Sequence, residues 1–381
     1  MAGIYIHIPF CKQACHYCNF HFSTSVALKT EMTEALKKEI VLQHSAFFDE
    51  QEIIETIYFG GGTPSLLTKR ELEELLFAIK NNYKVSSSAE ITLEANPDDI
   101  NAASLNEWKG AGINRLSIGI QSFKEADLIW MNRTHNAEEA LHCIELARAA
   151  GFINFSIDLI YGTPGLTDKE WQKNVQTVIE LEVPHVACYA LTVEPGTALQ
   201  KMIKIKKKID VNTDDQARQF LLLMKWMADV GYEHYEISNF AKPGHRSRHN
   251  SSYWKGAKYL GIGPSAHSYT GTTRKWNIAN NALYIQSIKN NVIPFEEEIL
   301  TETQQLNEYI MTSLRTIEGL DLRFVEEKFS LKEKERIETD GKNYIAKGMM
   351  KKKENKLVLT NEGKLFADGI AADLFVTSIG K

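Results

Sequence analysis

Residues 5 to 20 have the sequence Tyr5-Ile6-His7-Ile8-Pro9-Phe10-Cys11-Lys12-Gln13-Ala14-Cys15-His16-Tyr17-Cys18-Asn19-Phe20. The first part belongs to an alternating, β-branched run that begins at Gly3, a pattern typical of a β-strand. The second part places three of the chain's five cysteines within eight residues, at the spacing C-x3-C-x2-C. The sequence therefore predicts a strand that delivers a cysteine-rich loop at its carboxyl end.

The cysteine spacing favours an iron–sulfur site at Cys11, Cys15 and Cys18. A cluster held entirely by protein takes four cysteines, so three thiolates would leave the fourth iron of a [4Fe-4S] cluster open to a small chelating molecule. One alternative is a zinc site completed by His16 or His21. Unrelated thiols are another, whereas a disulfide would leave an odd cysteine in a chain without a secretory signal.

The same residues carry a resemblance to a known family. The cysteine spacing resembles the signature of the radical S-adenosylmethionine (SAM) superfamily, in which SAM binds the open iron. The Tyr-x-His-x-Pro-Phe-Cys segment before it and Phe20 after it are similar to the coproporphyrinogen III oxidase-like group, which contains HemN and HemW. Oxidases of this group usually carry a further cysteine at the position of Phe20. This chain lacks that cysteine and in this respect resembles the HemW branch. The resemblance covers most of residues 4–200 and implies a [4Fe-4S] cluster and SAM as cofactors.

Composition limits the class of protein. The chain has 381 residues, of which 43% are hydrophobic and 24% charged, as in ordinary globular proteins. Its formal charge of −5 argues against bulk affinity for nucleic acid or for an anionic membrane. No apolar run approaches the roughly 20 residues of a membrane helix. Because no charged leader precedes Ile4, the sequence predicts a cytoplasmic protein, in a reducing compartment that suits thiolate–iron chemistry.

Strand and helix patterns alternate through the first half of the chain. The predicted strands are residues 3–8, 53–59, 91–95, 115–120, 155–160 and 185–191. Such alternation indicates a parallel sheet with right-handed crossovers, either a partial or full barrel or an open doubly wound sheet. Together with the resemblance, it predicts an α/β fold with a partial (β/α)6-type radical SAM barrel. In each of these folds the site lies at the carboxyl ends of the strands.

We predict three parts. Residues 1–200 form the radical SAM core, residues 201–295 a C-terminal α+β extension near the heme or substrate, and residues 296–381 a small winged-helix-like domain. The last prediction rests on helices near 301–316, 321–329 and 332–348 and on a hairpin near 356–359. A winged helix often binds DNA, but the mixed charge of these helices favours a scaffold or lid.

Residues at the predicted strand ends form a candidate SAM site. A glycine loop lets the backbone approach a ligand, and carboxylates at a sheet edge can accept hydrogen bonds from an ammonium group. An arginine can pair with a ligand carboxylate. Each residue alone is equally explained as a structural cap or a surface ion pair. By their order and spacing they resemble the SAM-contacting and aromatic positions of the group, which implies a SAM site made of Tyr5, Tyr17, Gly61, Gly62, Thr63, Glu94, Gln121, Arg133 and Asp158.

A second motif is His249-Asn250-Ser251-Ser252-Tyr253-Trp254. It resembles the HNxxYW motif of the HemW branch, which is linked to heme binding. Imidazole is a normal axial ligand of heme iron, and the two aromatic rings offer a flat apolar surface to a porphyrin. The resemblance therefore predicts that His249 contacts heme; the alternative is a structural histidine beside core aromatics. Nearby Arg246, Arg248 and Lys255 are candidates for heme propionates or for ordinary surface charge.

The resemblance predicts a heme chaperone that binds heme and transfers it to acceptor proteins. An electron donor for the cluster would be a further partner, and neither nucleic acid nor an integral membrane segment is expected. The alternative is an oxygen-independent coproporphyrinogen III dehydrogenase, which performs a radical oxidative decarboxylation in porphyrin biosynthesis. A DNA-binding redox sensor is a third, weaker hypothesis. Whether the protein is an enzyme is left open: a radical SAM core is compatible with cleavage of SAM but does not require it, and coproporphyrinogen dehydrogenase is the runner-up activity.

Overall fold

The structure is a computed structural model that describes residues 2–48 and 51–376. Within these residues, the main sheet has twelve strands in the order β12-β11-β10-β9-β1-β2-β3-β4-β5-β6-β8-β7. The strands are β1 Ala2–Ile8, β2 Ile54–Gly61, β3 Val85–Ala95, β4 Arg115–Gln121, β5 Phe155–Tyr161, β6 His185–Ala190, β7 Glu233–Glu236, β8 Asn239–Ala241, β9 Lys258–Ile262, β10 His267–Tyr269, β11 Thr273–Asn277 and β12 Phe295–Ile299.

Strands β1 to β6 are parallel neighbours in their sequence order. A doubly wound sheet reverses its strand order at a switch point, and this sheet does not, so the partial-barrel prediction is confirmed. The predicted strands match the observed ones closely, except that β3 begins six residues earlier, at Val85 rather than at residue 91. Later strands flank the barrel, because β9 pairs parallel with β1 and β8 pairs antiparallel with β6.

Helices connect the strands and continue through the extension. Of the ten helices described up to residue 289, four begin with a capping box, in which the side chain of Thr68, Asn101, Asn136 or Thr167 accepts a backbone N–H two or three residues ahead. The helices are α1 Lys29–Phe47, α2 Lys69–Asn82, α3 Ala102–Ala111, α4 Glu125–Met131, α5 Ala137–Ala149, α6 Asp168–Glu180, α7 Ala198–Lys204, α8 Thr213–Asp229, α9 Arg248–Trp254 and α10 Asn281–Lys289.

The main apolar core lies between these helices and the sheet. Ile4, Ile6 and Ile8 of β1 are at most 1% exposed, and six of the seven residues of this strand are buried. Burial of both faces is typical of a parallel strand covered by helices. Cys143 and Cys188 are buried in the same core, so these two thiols lie away from the cysteine loop.

The chain after residue 300 forms a second apolar core, from Leu306 to Leu374. A three-stranded sheet of order β13-β15-β14 lies beside helices near the predicted positions, as in a winged helix. The divisions at residues 200 and 295 stay predictions. The elements are α11 Glu302–Leu314, β13 Leu320–Asp321, α12 Leu322–Lys328, α13 Leu331–Ala346, β14 Met350–Lys353, β15 Lys356–Leu359, α14 Asn361–Lys364 and α15 Ala367–Asp373.

A membrane-crossing helix, long and apolar enough for the task, does not occur among residues 2–48 and 51–376.

Candidate functional site

The cysteine loop follows β1 and is fixed at both of its sides. The Cys11 N–H donates to the Ser23 carbonyl (3.0 Å), and the Ser23 N–H donates to the Pro9 carbonyl (2.9 Å). On the other side, the Asn132 side-chain amide at the end of α4 donates to the Ala14 carbonyl (2.8 Å). These bonds hold the loop between β1 and α4, so the thiols are presented by a well-anchored backbone.

The three cysteines line a cavity of about 380 Å³, which we call the cysteine cavity. It lies at the carboxyl ends of the parallel strands, where such folds place their ligands. Eight of the nine predicted SAM residues line it as well; Tyr5 lines a neighbouring cavity instead. The eight are Tyr17, Gly61, Gly62, Thr63, Glu94, Gln121, Arg133 and Asp158. The structure thus brings the predicted residues together, while their binding roles stay predictions.

Three carboxyl groups line this cavity: Glu94 of β3, Asp158 of β5 and Glu194. Glu94 accepts hydrogen bonds from the Tyr58 hydroxyl (2.8 Å) and from the Gly61 N–H (3.1 Å). Burial raises the pKa of Glu94 to about 7, and the charge of Asp158 adds to the effect. Burial likewise raises the pKa of Asp158 to about 7, although Arg115 and Arg133 oppose the shift. Because their pKa values lie near neutral pH, the carboxyls of Glu94 and Asp158 would ionise when a cationic ligand approaches.

Arg133 and Gln121 are held in defined orientations beside the thiols. The Arg133 guanidinium donates to the Cys15 sulfur (3.3 Å) and to Asn96 Oδ1 and the Gly119 carbonyl (both 2.7 Å). Its buried Nε has no partner within the described residues. Gln121 ends β4 with φ 69°, a conformation uncommon for a residue with a side chain. Strain of this kind persists where the surrounding structure enforces it, and it directs the amide into the cavity.

The glycine loop packs closely on β1. Gly61 has φ +109°, and a Cβ atom there would lie 2.6 Å from the His7 ring. A Cβ at Gly62 would lie 2.6 Å from the Phe10 carbonyl oxygen. Close packing alone therefore requires glycine at both positions. Contact with a ligand would be a second reason for glycine there.

Two thiols of the cysteine loop, those of Cys11 and Cys18, have pKa values above the ordinary value of a cysteine. Burial raises the pKa of Cys11 to about 11 and also raises the pKa of Cys18. In the part of the chain that the structure describes, no three His, Cys, Asp or Glu side chains converge on a point that suits a single metal ion. A four-iron cluster takes one thiolate per iron, so its ligands surround it and do not meet at one point.

A second cavity, of about 820 Å³, adjoins the first, and we call it the aromatic cavity. The two share Asn19 and Phe20, which follow the last cysteine of the loop. Cationic side chains also reach the aromatic cavity, namely those of Lys255, Arg274 and Lys328. Its aromatic lining consists of Tyr5, Phe20, Tyr253, Trp254, Tyr259, Tyr269, Tyr309 and Phe324.

Helix α9, which carries the HNSSYW sequence, separates the two cavities. Asn250 lines the cysteine cavity, whereas Tyr253 and Trp254 line the aromatic cavity. His249 lies between them and is 1% exposed. Its Nδ1 is 2.8 Å from Thr56 Oγ1, and its Nε2 is 2.8 Å from the Tyr253 hydroxyl. The motif is therefore placed at the aromatic cavity, but its histidine is engaged at both ring nitrogens.

Of the three cations considered for propionates, only Lys255 lines the aromatic cavity. Arg246 pairs with Glu233 (3.0 Å) and Glu318 (2.7 Å). Arg248 pairs with Glu55 (3.0 Å), as surface charges commonly do. Arg246 and Arg248 are thus paired with glutamates, as the alternative of ordinary surface charge predicts.

Sequence reasoning missed the hairpin of β10 and β11, which supplies His267, Tyr269 and Arg274 to the aromatic cavity. The signal was available in the alternation of His267, Ser268 and Tyr269, because alternate residues of a strand face the same side. Ser268 is buried on the opposite side, where its hydroxyl accepts the Gly261 N–H (2.9 Å).

Comparison with known proteins agrees with this arrangement. Residues 5–178 match the model of the radical SAM superfamily, and residues 300–366 match that of the HemN C-terminal domain. The chain is 35% identical over 376 residues to the heme chaperone HemW of Bacillus subtilis (strain 168), covering 97% of this chain and 98% of the relative. The chain belongs to the HemW family.

Other members of the HemW family show similar identity. The Mycobacterium tuberculosis HemW is 33% identical, with 98% of this chain and 94% of the relative covered. The Escherichia coli HemW is 36% identical, with 70% and 69% covered. Among solved structures, the coproporphyrinogen III oxidase HemN of Escherichia coli matches with a TM-score of 0.85, covering 98% of this chain and 90% of that chain, at 24% identity. This last likeness shows the fold that HemN and the HemW family share.

Proposed function

We propose that this protein is a heme chaperone, which binds heme and transfers it to acceptor proteins. The observation that carries the proposal is similarity to curated heme chaperones along nearly the whole chain, 97% in the case of the Bacillus subtilis protein. The similarity includes the second half of the chain, which supplies most of the aromatic cavity.

The aromatic cavity suits a porphyrin. Its volume of about 820 Å³ lies within the usual range of about 300–1,000 Å³ for small-molecule sites. Aromatic rings such as Tyr253 and Trp254 offer flat apolar surface, and Lys255 and Lys328 offer positive charge to propionate groups. Arg274 lines the cavity as well but is paired with Glu308 (2.6 Å). This combination matches an amphipathic, dianionic macrocycle better than a polar metabolite.

The cysteine cavity suits a [4Fe-4S] cluster with SAM. Its three thiols fit three irons, and the buried Arg133 Nε, which has no hydrogen-bond partner among the described residues, provides a donor for an anionic group. Glu94 and Asp158 would attract the cationic part of SAM, and the backbone around Gly61 and Gly62 would contact it. When bound, the cluster and SAM supply one-electron radical chemistry. The residues of the protein position SAM and limit the access of water. The raised pKa values of Glu94 and Asp158 allow these carboxyls to ionise as SAM binds.

Asn19 and Phe20 line both cavities, so ligands bound in the two cavities would be neighbours. We infer that SAM or the cluster state influences heme at this contact. Heme-accepting proteins and an electron donor for the cluster complete the proposed set of partners, and the cytoplasm is the proposed location. We assign the part after residue 300 a scaffold role, because it supplies Tyr309, Phe324 and Lys328 to one wall of the aromatic cavity.

The experiment uses anaerobically reconstituted protein with its cluster, SAM and a reductant. Coproporphyrinogen III is added and decarboxylated products are analysed, while heme is titrated in parallel samples. We expect saturable heme binding at one heme per chain and no decarboxylated product. Product formed over many turnovers would make the protein an oxidase and would contradict the chaperone proposal.

A further inference from the structure

Heme held in the aromatic cavity needs a protein ligand for its iron, and imidazole is a common one. Three histidines line this cavity: His7, His21 and His267. His7 uses both ring nitrogens, since Nδ1 lies 3.1 Å from the Tyr5 hydroxyl and Nε2 lies 2.8 Å from the His21 carbonyl oxygen. The Nε2 of His21 lies 2.8 Å from Asn281 Oδ1. His7 is therefore engaged at both ring nitrogens, whereas His21 is engaged at Nε2 only, so His21 is the competing ligand that the experiment below has to exclude.

The histidine of the HNSSYW sequence is even less available. His249 does not line the aromatic cavity, is 1% exposed, and is bonded through Nδ1 to Thr56 and through Nε2 to Tyr253. Its ring also stacks on Tyr58, with centroids 4.9 Å apart. To reach heme iron it would have to break both hydrogen bonds and leave the core.

His267 is more available than these histidines, although its ring also contacts that of Trp276 (centroids 6.2 Å apart). Its side chain is exposed at the cavity, and it makes no side-chain hydrogen bond within the described part of the chain. Burial lowers the pKa of its imidazole, and the nearby Arg274 lowers it further, so the ring is neutral at physiological pH. Neutral imidazole is the form that binds a metal.

The hairpin fixes the direction of this side chain. His267 pairs with Trp276 across the two strands, and Tyr269 pairs with Arg274. Residues directly opposite each other, and residues two apart on one strand, lie on the same face. His267, Tyr269 and Arg274 therefore face the cavity together, with an imidazole, an aromatic ring and a guanidinium on one rigid surface.

We propose that His267 supplies the protein ligand to the iron of heme bound in the aromatic cavity, and that His249 is a positioning residue that holds Tyr253 in the cavity wall. This inference rests on the proposed heme binding and identifies the coordinating side chain. It also accounts for a buried, doubly bonded histidine within a sequence linked to heme.

The test is a ferric heme titration of cluster-loaded protein, followed by visible absorption and by electron paramagnetic resonance. We expect His267→Ala to lose the signature of histidine ligation, to weaken binding about tenfold or more, and to regain the signature when imidazole is added. His267→Cys should give a thiolate-type spectrum, which a residue without direct contact to iron would not produce. His21→Ala is the matched control and should keep the wild-type spectrum.

The outcomes separate the two claims. If wild-type protein shows no saturable heme binding, the proposed function fails and the ligand assignment fails with it. If wild-type protein binds heme and His267→Ala has the same spectrum and affinity, only the assignment of His267 is overturned. Loss of the histidine signature in His249→Ala but not in His267→Ala would overturn it as well.

Discussion

Replacement of His249 and of His267 by alanine should change the stability of the protein by different amounts. His249→Ala removes the partner of Thr56 Oγ1 and of the Tyr253 hydroxyl and leaves a cavity beside Tyr58. We expect the free energy of unfolding to fall by about 2–4 kcal/mol, since the substitution combines a lost buried volume with unsatisfied polar groups. Urea unfolding followed by circular dichroism measures the change.

His267→Ala is the comparison for that measurement. Its ring is exposed and makes no side-chain hydrogen bond among the described residues, so its removal should change stability by no more than about 0.5 kcal/mol. Equal stability losses in the two variants would contradict the different roles that we assign to these residues.

The carboxyls of the cysteine cavity predict a pH dependence of SAM binding. Burial raises the pKa of both Glu94 and Asp158 to about 7, so below pH 7 they are mostly protonated in the free protein. A cationic ligand favours their ionised forms. Affinity should therefore rise with pH through 7 and level off above it, by about tenfold per responding carboxyl between pH 6 and 8.

Isothermal titration of SAM into the cluster-loaded protein across this pH range tests the expectation. Glu94→Gln should reduce the rise to the part that Asp158 contributes, because glutamine cannot ionise but preserves the size of the residue. Glu145→Gln, on the exposed side of α5, is the control and should leave the rise intact. An affinity that falls as pH increases would contradict the proposed attraction.

At the residue scale, the sequence located the cysteine cavity well because its residues follow strand ends, and strand ends are readable from hydrophobic patterns. It did not locate His267, because the alternation around it spans only three residues and is too short to stand out from the surrounding sequence. It also could not show that His249 is buried and doubly bonded, since Thr56 is 193 residues away in the chain.

At the scale of elements, the junction between α4 and the cysteine loop is the contact that fixes the thiols. Asn132 has a left-handed backbone (φ 62°) and bonds the Ala14 carbonyl through its side chain, while its own carbonyl accepts the Gln13 amide (2.9 Å). Asparagine tolerates this conformation better than other residues with a side chain. One residue therefore ends the helix and anchors the loop.

Two substitutions separate these contributions. Asn132→Ala loses the side-chain hydrogen bond and strains the backbone, and we expect a loss of about 1–3 kcal/mol in stability. Asn132→Gly loses the same hydrogen bond but removes the strain, so its loss should be smaller. Both should lower the yield of cluster in reconstitution, measured by iron content and visible absorption. Normal cluster yield in both variants would show that the loop does not depend on this anchor.

At the scale of the whole molecule, the part after residue 300 is joined to the barrel beside the aromatic cavity. The Arg315 guanidinium bonds the buried Glu236 (3.0 Å), and the Ile237 N–H donates to the Arg315 carbonyl (3.1 Å). Phe324 and Lys328 of α12 reach the cavity from this side. The winged-helix-like unit thus serves as a wall of the proposed heme site.

Phe324→Ala tests that role. Loss of an aromatic ring from the wall should weaken heme binding about tenfold and leave SAM binding unchanged, as measured by titration of each ligand. Phe366→Ala is a matched control, because Phe366 belongs to the same unit, is 55% exposed and lines neither cavity. Equal heme affinity in wild-type protein and Phe324→Ala would remove this unit from the site.

The architecture of the barrel was predictable because its local signals agree: β-branched strands, capped helices and short turns repeat in a regular order. The aromatic cavity was not predictable as a unit, since it combines side chains from β1, the cysteine loop, α9, β9, the β10–β11 hairpin, α11 and α12. No single segment carries its pattern, and only the folded chain brings these segments together.

The most direct test of the account is a heme titration of the Thr312→Trp variant. Thr312 lines the aromatic cavity from α11, and a tryptophan there would fill space that heme needs. With cluster and SAM in place, we predict saturation at one heme per chain in wild-type protein, at least about a tenfold loss of heme affinity in the variant, and unchanged SAM binding. Heme affinity equal to wild type in the folded variant would contradict the claim that the aromatic cavity is the heme site.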